Sequence, residues 1–243
     1  KEVESKTIHY TLVDRDPDNI HAAREQVAAW ANDHGYDVRS AQDGIQLDLG
    51  PIEAHLTLVT ADLFSFADRE ATATFDAVIA QAVLDLLNLS DFFASLRPLL
   101  KKGGLWYLPI HFDGVTGFEP SVDRRLDEQI ERLYHESMDK NEEEGERRAH
   151  TGRRLLTVLR EQNDQVLAAG SSDWIVYPNQ AGYKSNEKYF LYCIIHFIEK
   201  ELSVYSSVKE PALSDWIQTR RRQICDGELI FIAHQLDVLA RNV

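Results

Sequence analysis

A strand, a helix and a second strand can be read in residues 75–110, FDAVIAQAVLDLLNLSDFFASLRPLLKKGGLWYLPI. The first six residues, Phe75–Ala80, form a short apolar run that is typical of a buried strand. A helix capped by Ser90 follows, and Gly103 marks its end, because glycine after lysines favours a helix C-terminus. The apolar run Leu105–Phe112 then predicts the next strand.

The same alternation precedes this unit. Ile8–Val13 is β-branched and aromatic, which predicts a buried strand, and a helix with a cap at Asp18 is expected to end near Gly35. Asp43-Gly44 favours a hairpin, and the alternating residues His55–Thr60 predict another strand. The N-terminal part of the chain therefore also reads as strand, helix and strand.

Beyond Pro120 the pattern is mainly helical. Residues 121–170 read as a helical insertion with the character of a lid over the strand ends, and Lys140–Arg148 is a polar run that predicts a mobile loop. Further elements are predicted in this order: a helix over Thr151–Leu167, a strand over Asp173–Tyr177, a helix over Tyr189–Leu202, a helix from a cap at Ser214 to Arg222, and a strand over Glu228–Val238.

Strands that alternate with helices at this spacing indicate an α/β fold. The sequence predicts a doubly wound, mostly parallel sheet, in one domain that spans residues 1–243. In such a sheet ligands bind beyond the carboxyl ends of the strands. The polar residues that follow the predicted strands are therefore the candidates for a site.

The charge of the chain limits its partners. Lys and Arg number 26 and Asp and Glu number 40, which gives a formal net charge of −14. A chain this acidic is not expected to bind nucleic acid, because phosphate backbones are recognised by concentrated positive charge. The three neighbouring arginines Arg220, Arg221 and Arg222 are expected to form a solvated helix face.

Cysteine usage and hydropathy point to a cytoplasmic protein without a metal site. Cys193 and Cys225 stand in apolar surroundings, with no CxxC motif and no histidine pair at ligand spacing. The longest apolar run, Tyr189–Ile198, is too short to cross a membrane. Lys1–Lys6 lacks the apolar core of a signal peptide. Nothing in the sequence indicates an oligomeric state.

Two acids stand at predicted strand ends. Asp14 follows the first strand, and Asp62 follows the strand His55–Thr60. A carboxylate at a strand tip can accept hydrogen bonds from both hydroxyls of a ribose, and Asp62 could accept one from an adenine amine. The alternative is that each acid only forms a turn or caps a helix, and for either acid alone both interpretations stay open.

At these positions the sequence resembles the class I S-adenosylmethionine-dependent methyltransferases. The resemblance extends over nearly the whole chain. Its matching segments are YTLVD at 10–14, TADLF at 60–64, FDAVIAQ at 75–81, and LRPLLKKGG at 96–104 followed by LWYLP at 105–109. The resemblance implies a Rossmann-like sheet of the seven-stranded type, in which the last strand is antiparallel and lies beside the strand Leu105–Phe112.

The resemblance also implies S-adenosylmethionine as cofactor and assigns its residues. Asp14 would bind the ribose, Asp62 and the backbone of Leu63 the adenine, and Gln81 would lie near the methionine part. The predicted cofactor site comprises Asp14, Arg15, Asp62, Leu63, Phe64, Gln81 and Ala82. His111 or Asp113, at the end of the strand Leu105–Phe112, would serve as a general base where the acceptor must lose a proton.

The family's glycine-rich loop after its first strand has no counterpart here. Only Lys1–Thr7 precede the strand that resembles the family's second one. We expect a further segment upstream of Lys1, since its absence would leave two strand edges unpaired. The alternative is a remnant that cannot hold the cofactor fully.

The methyl acceptor is expected to be a small molecule. An acidic chain disfavours RNA and DNA, and a lid over residues 121–170 would exclude water from a small acceptor. Two other classes stay open: an inactive methyltransferase-like scaffold that acts through protein contacts, and a nicotinamide-dependent dehydrogenase, which the adenine edge at Asp62, Leu63 and Phe64 disfavours.

Overall fold

The computed structural model describes residues 6–41, 43–139, 148–204 and 210–243. The fold is mixed α/β, and the described strands form two sheets, one of four strands and one of five. The chain divides into two compact units, Lys1–Thr72 and Ala73–Val243. Each unit has an apolar core of its own. The predicted single domain over residues 1–243 stays a prediction.

The first unit contains the four-stranded sheet, in the order β1-β4-β3-β2. Strand β1 is parallel to β4, whereas β2 and β3 form the predicted hairpin and β3 runs antiparallel to β4. The core consists of Ala31, Ile45, Leu47 and Ala54. The elements are β1 (Lys6–Asp14), α1 (Pro17–Asp33), β2 (Asp37–Ala41), β3 (Gly44–Asp48), β4 (Ile52–Thr60) and α2 (Leu63–Ala67).

Two predictions for this unit need correction. The cap of α1 is Asp16 rather than Asp18: its side chain accepts a hydrogen bond from the backbone of Asp18. Strand β1 lies where it was predicted, but it is not buried, since Ile8 is 47% and Tyr10 40% exposed. Among the described strands, β1 is the terminal strand of its sheet and pairs with β4 alone.

The second unit contains the five-stranded sheet, in the order β5-β6-β9-β7, with β8 also paired to β9. Strands β5 and β6 are parallel, and β9 is antiparallel to β6, as predicted for the last strand. The elements are β5 (Phe75–Ile79), α3 (Leu89–Leu96), β6 (Leu100–Glu119), α4 (Arg124–Asp139), α5 (Thr151–Glu161), β7 (Gln165–Ser171), β8 (Trp174–Val176), α6 (Glu187–Leu202), α7 (Glu210–Asp226) and β9 (Ile230–Arg241).

The predicted sheet is wrong in two respects. The described strands form two sheets rather than one, and only β1 with β4 and β5 with β6 are parallel pairs. The other strand pairs are antiparallel, because hairpin β2–β3 and the long strand β9 supply most of the pairing. The alternation of elements along the chain predicted the fold class but not this pairing.

Several helix ends also differ from the prediction. Helix α3 is capped by Asn88 instead of Ser90, and α7 begins at Glu210, before Ser214. The helix expected to reach Leu167 ends at Glu161, where Asn163 adopts a φ of 62°. Asparagine tolerates this left-handed conformation and stops the helix. The end of the predicted insertion is therefore strand β7.

Two helices, α4 and α5, account for most of the other described residues of the predicted insertion. Its role as a lid stays a prediction. The polar loop predicted at Lys140–Arg148 lies outside the described residues except for Arg148. Among the residues that the structure describes, no helix is long and apolar enough to span a bilayer.

Arg220 is buried within the core of the second unit. Its side chain is completely inaccessible and donates to Asp127 over 2.6 Å. The guanidinium lies over the rings of Trp216 and Phe118, at 4.9 and 5.4 Å from their centroids. The expected solvated arginine face is therefore wrong for Arg220, because the acid that it pairs with comes from α4, which is distant in sequence.

Candidate functional site

In the first unit, the two acids lie at the same edge of the sheet. Asp14 is the last residue of β1, and it pairs in register with Thr60, the last residue of β4. The backbone N–H of Ala61 donates to the carbonyl of Asp14 over 3.0 Å, and Asp62 comes next. The carboxyl ends of two parallel neighbours thus bring both predicted acids to one place.

Both carboxylates have local partners. Asp14 accepts from the backbone of Asp16 over 2.8 Å and from the side chain of Asn19 over 3.2 Å. Asp62 caps α2 through one oxygen, which accepts from Phe64 and Ser65 over 3.1 and 3.0 Å. These are the turn and cap contacts of the alternative interpretation. A carboxylate accepts about four hydrogen bonds, so each acid retains capacity for a ligand.

The residues next to these acids are accessible in part. Arg15 is exposed, and Leu63 and Phe64 are half-buried at the start of α2. Within the described residues, the backbone N–H of Leu63 has no acceptor, whereas those of Phe64 and Ser65 are capped. The predicted adenine edge therefore offers one carboxylate and one uncommitted backbone donor.

In the second unit, the end of β5 is held in a strained conformation. Gln81 and Ala82 are both exposed, and Ala82 has a φ of 51°. The N–H of Ala82 donates to the carbonyl of Pro109 over 3.1 Å, next to Ile110, whose φ is 62°. Two non-glycine residues in the left-handed region, one just past the end of β5 and one inside β6, are the kind of strain that proteins retain at functional sites.

His111 lies beneath this strand end, fully buried. One ring nitrogen, Nε2, lies 3.0 Å from the carbonyl of Ala80, and Nδ1 has no partner among the described residues. Burial lowers the pKa of His111 to about 4, although the Ala80 contact and the charge of Asp237 act against it. The ring is therefore neutral at pH 7 and donates to Ala80, which leaves a lone pair on Nδ1.

Asp113 is held in an ion pair. It accepts from the backbone N–H and the guanidinium of Arg153 over 2.8 to 3.0 Å. A side chain at Gly152 would place its Cβ 2.9 Å from the carbonyl of His111, so this glycine permits the close approach of α5 to β6. The ion pair of Asp113 with Arg153 thus links β6 to α5. Of the two predicted bases, only His111 retains a nitrogen acceptor without a hydrogen bond among the described residues.

Two histidines and one glutamate of this unit have pKa values that are shifted strongly enough to affect stability near pH 5 to 6. Burial, assisted by the charge of His150, lowers the pKa of His135 to about 4, as burial does for His111. Burial, assisted by the charge of Asp127, raises the pKa of Glu131 to about 7. Near pH 5 to 6 the unfolded chain therefore binds two histidine protons that the folded chain excludes, and the folded chain retains the proton of Glu131 that the unfolded chain releases.

We expect the free energy of unfolding to fall by about 1.4 kcal/mol per pH unit as the pH drops from about 6 to about 5. Between about 4 and 6.5 each histidine destabilises the folded chain on acidification, whereas Glu131 stabilises it and offsets one of them. Urea unfolding at several pH values measures this slope. The slope should steepen in Glu131→Gln and flatten in His135→Gln; equal slopes in all three proteins would contradict the assignment.

A largely apolar cavity of about 470 Å³ lies in the second unit. Its walls come from strands β6, β8 and β9, from helices α4 and α6, and from the turn that follows β5. Its lining residues are Asp85, Leu86, Phe112, Thr116, Tyr134, Ser137, Met138, Trp174, Phe190, Ile194, Phe197, Glu201, Phe231, Ala233 and Gln235. The volume lies in the range of small-molecule sites. Neither His111 nor Asp113 lines it.

The cavity residues were missed in the sequence. A usable signal exists in α6, where Phe190, Ile194, Phe197 and Glu201 recur at helical spacing beside the core stripe Leu191, Ile195, Ile198 and Leu202. Two adjacent stripes make a helix apolar over much of its circumference, and this pattern predicts a buried helix and not a cavity wall. No group of three or more His, Cys, Asp or Glu side chains able to hold a metal occurs among the described residues.

Comparison with known proteins gave matches among solved structures. A protein assigned as a methyltransferase from Bacillus halodurans C-125 is 15% identical with a TM-score of 0.46, over 96% of this chain and 83% of that chain. One assigned as a type II methyltransferase from Anaeromyxobacter dehalogenans is 13% identical with a TM-score of 0.46, over 97% and 89%.

A third match is geranyl diphosphate methyltransferase in complex with S-adenosylmethionine. It is 11% identical with a TM-score of 0.36, over 99% of this chain and 79% of that chain. No family model matches the chain, and no curated protein matches it. The solved structures to which this chain is similar thus include methyltransferases, the class of enzyme that its sequence resembles.

Proposed function

We propose that this chain is an S-adenosylmethionine-dependent methyltransferase that acts on a small molecule. The observation that carries the proposal is the pair of carboxylates at the ends of the parallel strands β1 and β4. Asp14 and Thr60 are in register, and Asp62 follows Thr60 by two residues. Parallel strand ends with acids are where α/β proteins bind the ribose and base of a nucleoside.

The residues at this edge fit an adenosine group. Ribose hydroxyls are donors and suit the carboxylate of Asp14, which retains acceptor capacity. An adenine amine suits Asp62, whose second oxygen has no hydrogen bond among the described residues. The ring nitrogens of adenine are acceptors and suit the N–H of Leu63, and Phe64 supplies an apolar surface. The assignment of Arg15, Gln81 and Ala82 to the cofactor site stays a prediction.

Methyl transfer asks the protein mainly for orientation. When bound, S-adenosylmethionine supplies a methyl group on a sulfonium, which an acceptor lone pair takes while the electrons of the C–S bond stay on sulfur. The residues of this chain would hold the reactants in line and exclude water. His111 could accept a proton at Nδ1 but, with its low pKa, would hold it weakly. The role of Asp113 as a base also stays a prediction.

The small-molecule part of the proposal is supported by the cavity of the second unit. A cavity of about 470 Å³ lined mainly by apolar side chains is suited to a metabolite and not to a polymer. The net charge of −14 gives the chain no general attraction for phosphate backbones. The inactive scaffold is the alternative, and it predicts no cofactor binding.

Titration calorimetry with S-adenosylmethionine, S-adenosylhomocysteine and NAD separates the three classes. The proposal expects the two adenosyl ligands to bind and NAD not to bind. A metabolite extract incubated with the chain and methyl-labelled cofactor should then yield a labelled small molecule. Binding of NAD alone would favour a dehydrogenase, no binding at all would favour the scaffold, and label found only in RNA or protein would contradict a small-molecule acceptor.

A further inference from the structure

The apolar cavity carries negative charge but no positive charge among its described lining residues. Two of these residues, Asp85 and Glu201, are acids, and none is Lys, Arg or His. Glu201 ends the stripe of α6 that begins with Phe190 and faces the cavity. The inner wall is therefore apolar, with a carboxylate at one end of it.

The charge of Glu201 is not neutralised by the described part of the chain. Glu201 is half-buried, and it has neither a hydrogen bond nor an ion pair with any described residue. Burial, together with the charge of Glu201, raises the pKa of Tyr134 to about 12. Tyr134 lines the same cavity, so the charge of Glu201 acts on a residue of the cavity wall.

Aromatic faces make up much of the rest of the wall. The rings of Trp174 and Phe190 are stacked with centroids 4.2 Å apart, and Phe190 meets Phe231 edge to face at 5.6 Å. Phe112 and Phe197 also line the cavity. Aromatic faces attract cations as well as apolar groups, and a nearby carboxylate adds to the attraction of a cation.

We propose that the cavity binds an apolar molecule that carries an ammonium group, with Glu201 as the partner of the charge and the aromatic wall around the hydrocarbon part. The assignment of this molecule as the methyl acceptor rests on the proposed function, whereas its binding does not. An anionic molecule of the same shape would be repelled by the carboxylate of Glu201, and no described lining residue is a cation that could offset this, so the cavity should reject it.

Octylamine, octanol and octanoate test this proposal, because they share a chain and differ in charge. We expect calorimetry at pH 7.5 to show that octylamine binds about tenfold or more tightly than octanoate. In Glu201→Gln the affinity for octylamine should fall about tenfold, whereas that for octanol should change less than about twofold. Glu199→Gln is the matched control, since Glu199 lies on α6 like Glu201, pairs with Arg221 of α7 and does not line the cavity.

These experiments distinguish a failure of the cavity assignment from a failure of the proposed function. Octanoate binding as tightly as octylamine, or Glu201→Gln leaving octylamine binding unchanged, would overturn the assignment of the cavity. Octylamine binding without any binding of S-adenosylmethionine would keep the assignment and overturn the methyltransferase. Cofactor binding with label transferred only to anionic metabolites would keep the methyltransferase and overturn the ammonium molecule as its methyl acceptor.

Discussion

Replacing Asp127 by alanine should lower the free energy of unfolding by about 3–5 kcal/mol. The substitution leaves the guanidinium of Arg220 completely buried without its acid, and it removes the acceptor for the indole N–H of Trp216 at 2.6 Å. It also removes the acceptor for Ser121 and Val122 ahead of α4. Equilibrium unfolding in urea measures the loss.

Two further variants locate the cause. Glu128→Gln breaks the exposed pair with Arg124 on the same helix, and it should change the stability by less than about 0.5 kcal/mol. The double variant Asp127→Leu with Arg220→Met removes both buried charges, and it should be less destabilised than Asp127→Ala. If the double variant is instead the least stable, the pair contributes by more than mutual neutralisation.

The carboxylate of Asp127 should also make part of the free energy of unfolding depend on pH. Burial raises the pKa of Asp127, but hydrogen bonds from Ser121 and Trp216 and the charge of Arg220 outweigh burial and lower it below its ordinary value. The stabilisation by Asp127 is therefore complete above the unfolded pKa of about 4 and is lost as the pH falls through the lower folded value.

Removing the carboxylate of Asp14 should weaken S-adenosylmethionine binding about ten- to a hundredfold. A charged acceptor that pairs with two hydroxyls contributes about 1.5–3 kcal/mol. Calorimetry on Asp14→Ala measures the change, with thermal unfolding to show that the turn to Asp16 and Asn19 survives its loss. Asp18→Asn, in the first turn of α1, is the matched control.

Unchanged affinity in Asp14→Ala would assign that acid to the turn alone. The same experiment on Asp62→Ala separates its cap from a role in binding, because the loss of a cap lowers stability while leaving the affinity of the folded protein unaltered. A variant that unfolds earlier but binds normally would thus mark Asp62 as structural.

The sequence predicted elements better than their assembly. Strand β1, the hairpin β2–β3 and helix α6 lie where apolar periodicity and turn residues placed them. Such local patterns contain the information for single elements. The pairing of strands depends on neighbours distant in sequence, and the two sheets and the exposure of Ile8 and Tyr10 could not be read from periodicity.

The candidate site was predicted in part for the same reason. Asp14 and Asp62 follow parallel strands, so their common edge follows from the topology once the strands are known. The burial of Arg220 depends on a helix about ninety residues earlier, and the cavity is assembled from five elements and a turn. The stripe of cavity residues on α6 is visible in one stretch of the chain, but neither the partner of Arg220 nor the assembled cavity can be read from any single stretch.

Helix α6 carries its two roles on separate but adjacent stripes. Leu191, Ile195, Ile198 and Leu202 are completely buried in the core, and the residues one position earlier in each case line the cavity. Phe197 and Glu201 of the second stripe lie outside the core cluster, so a substitution at either would change the cavity wall while leaving the core intact. Such a helix lets ligand preference diverge among descendants of the protein at little risk to folding.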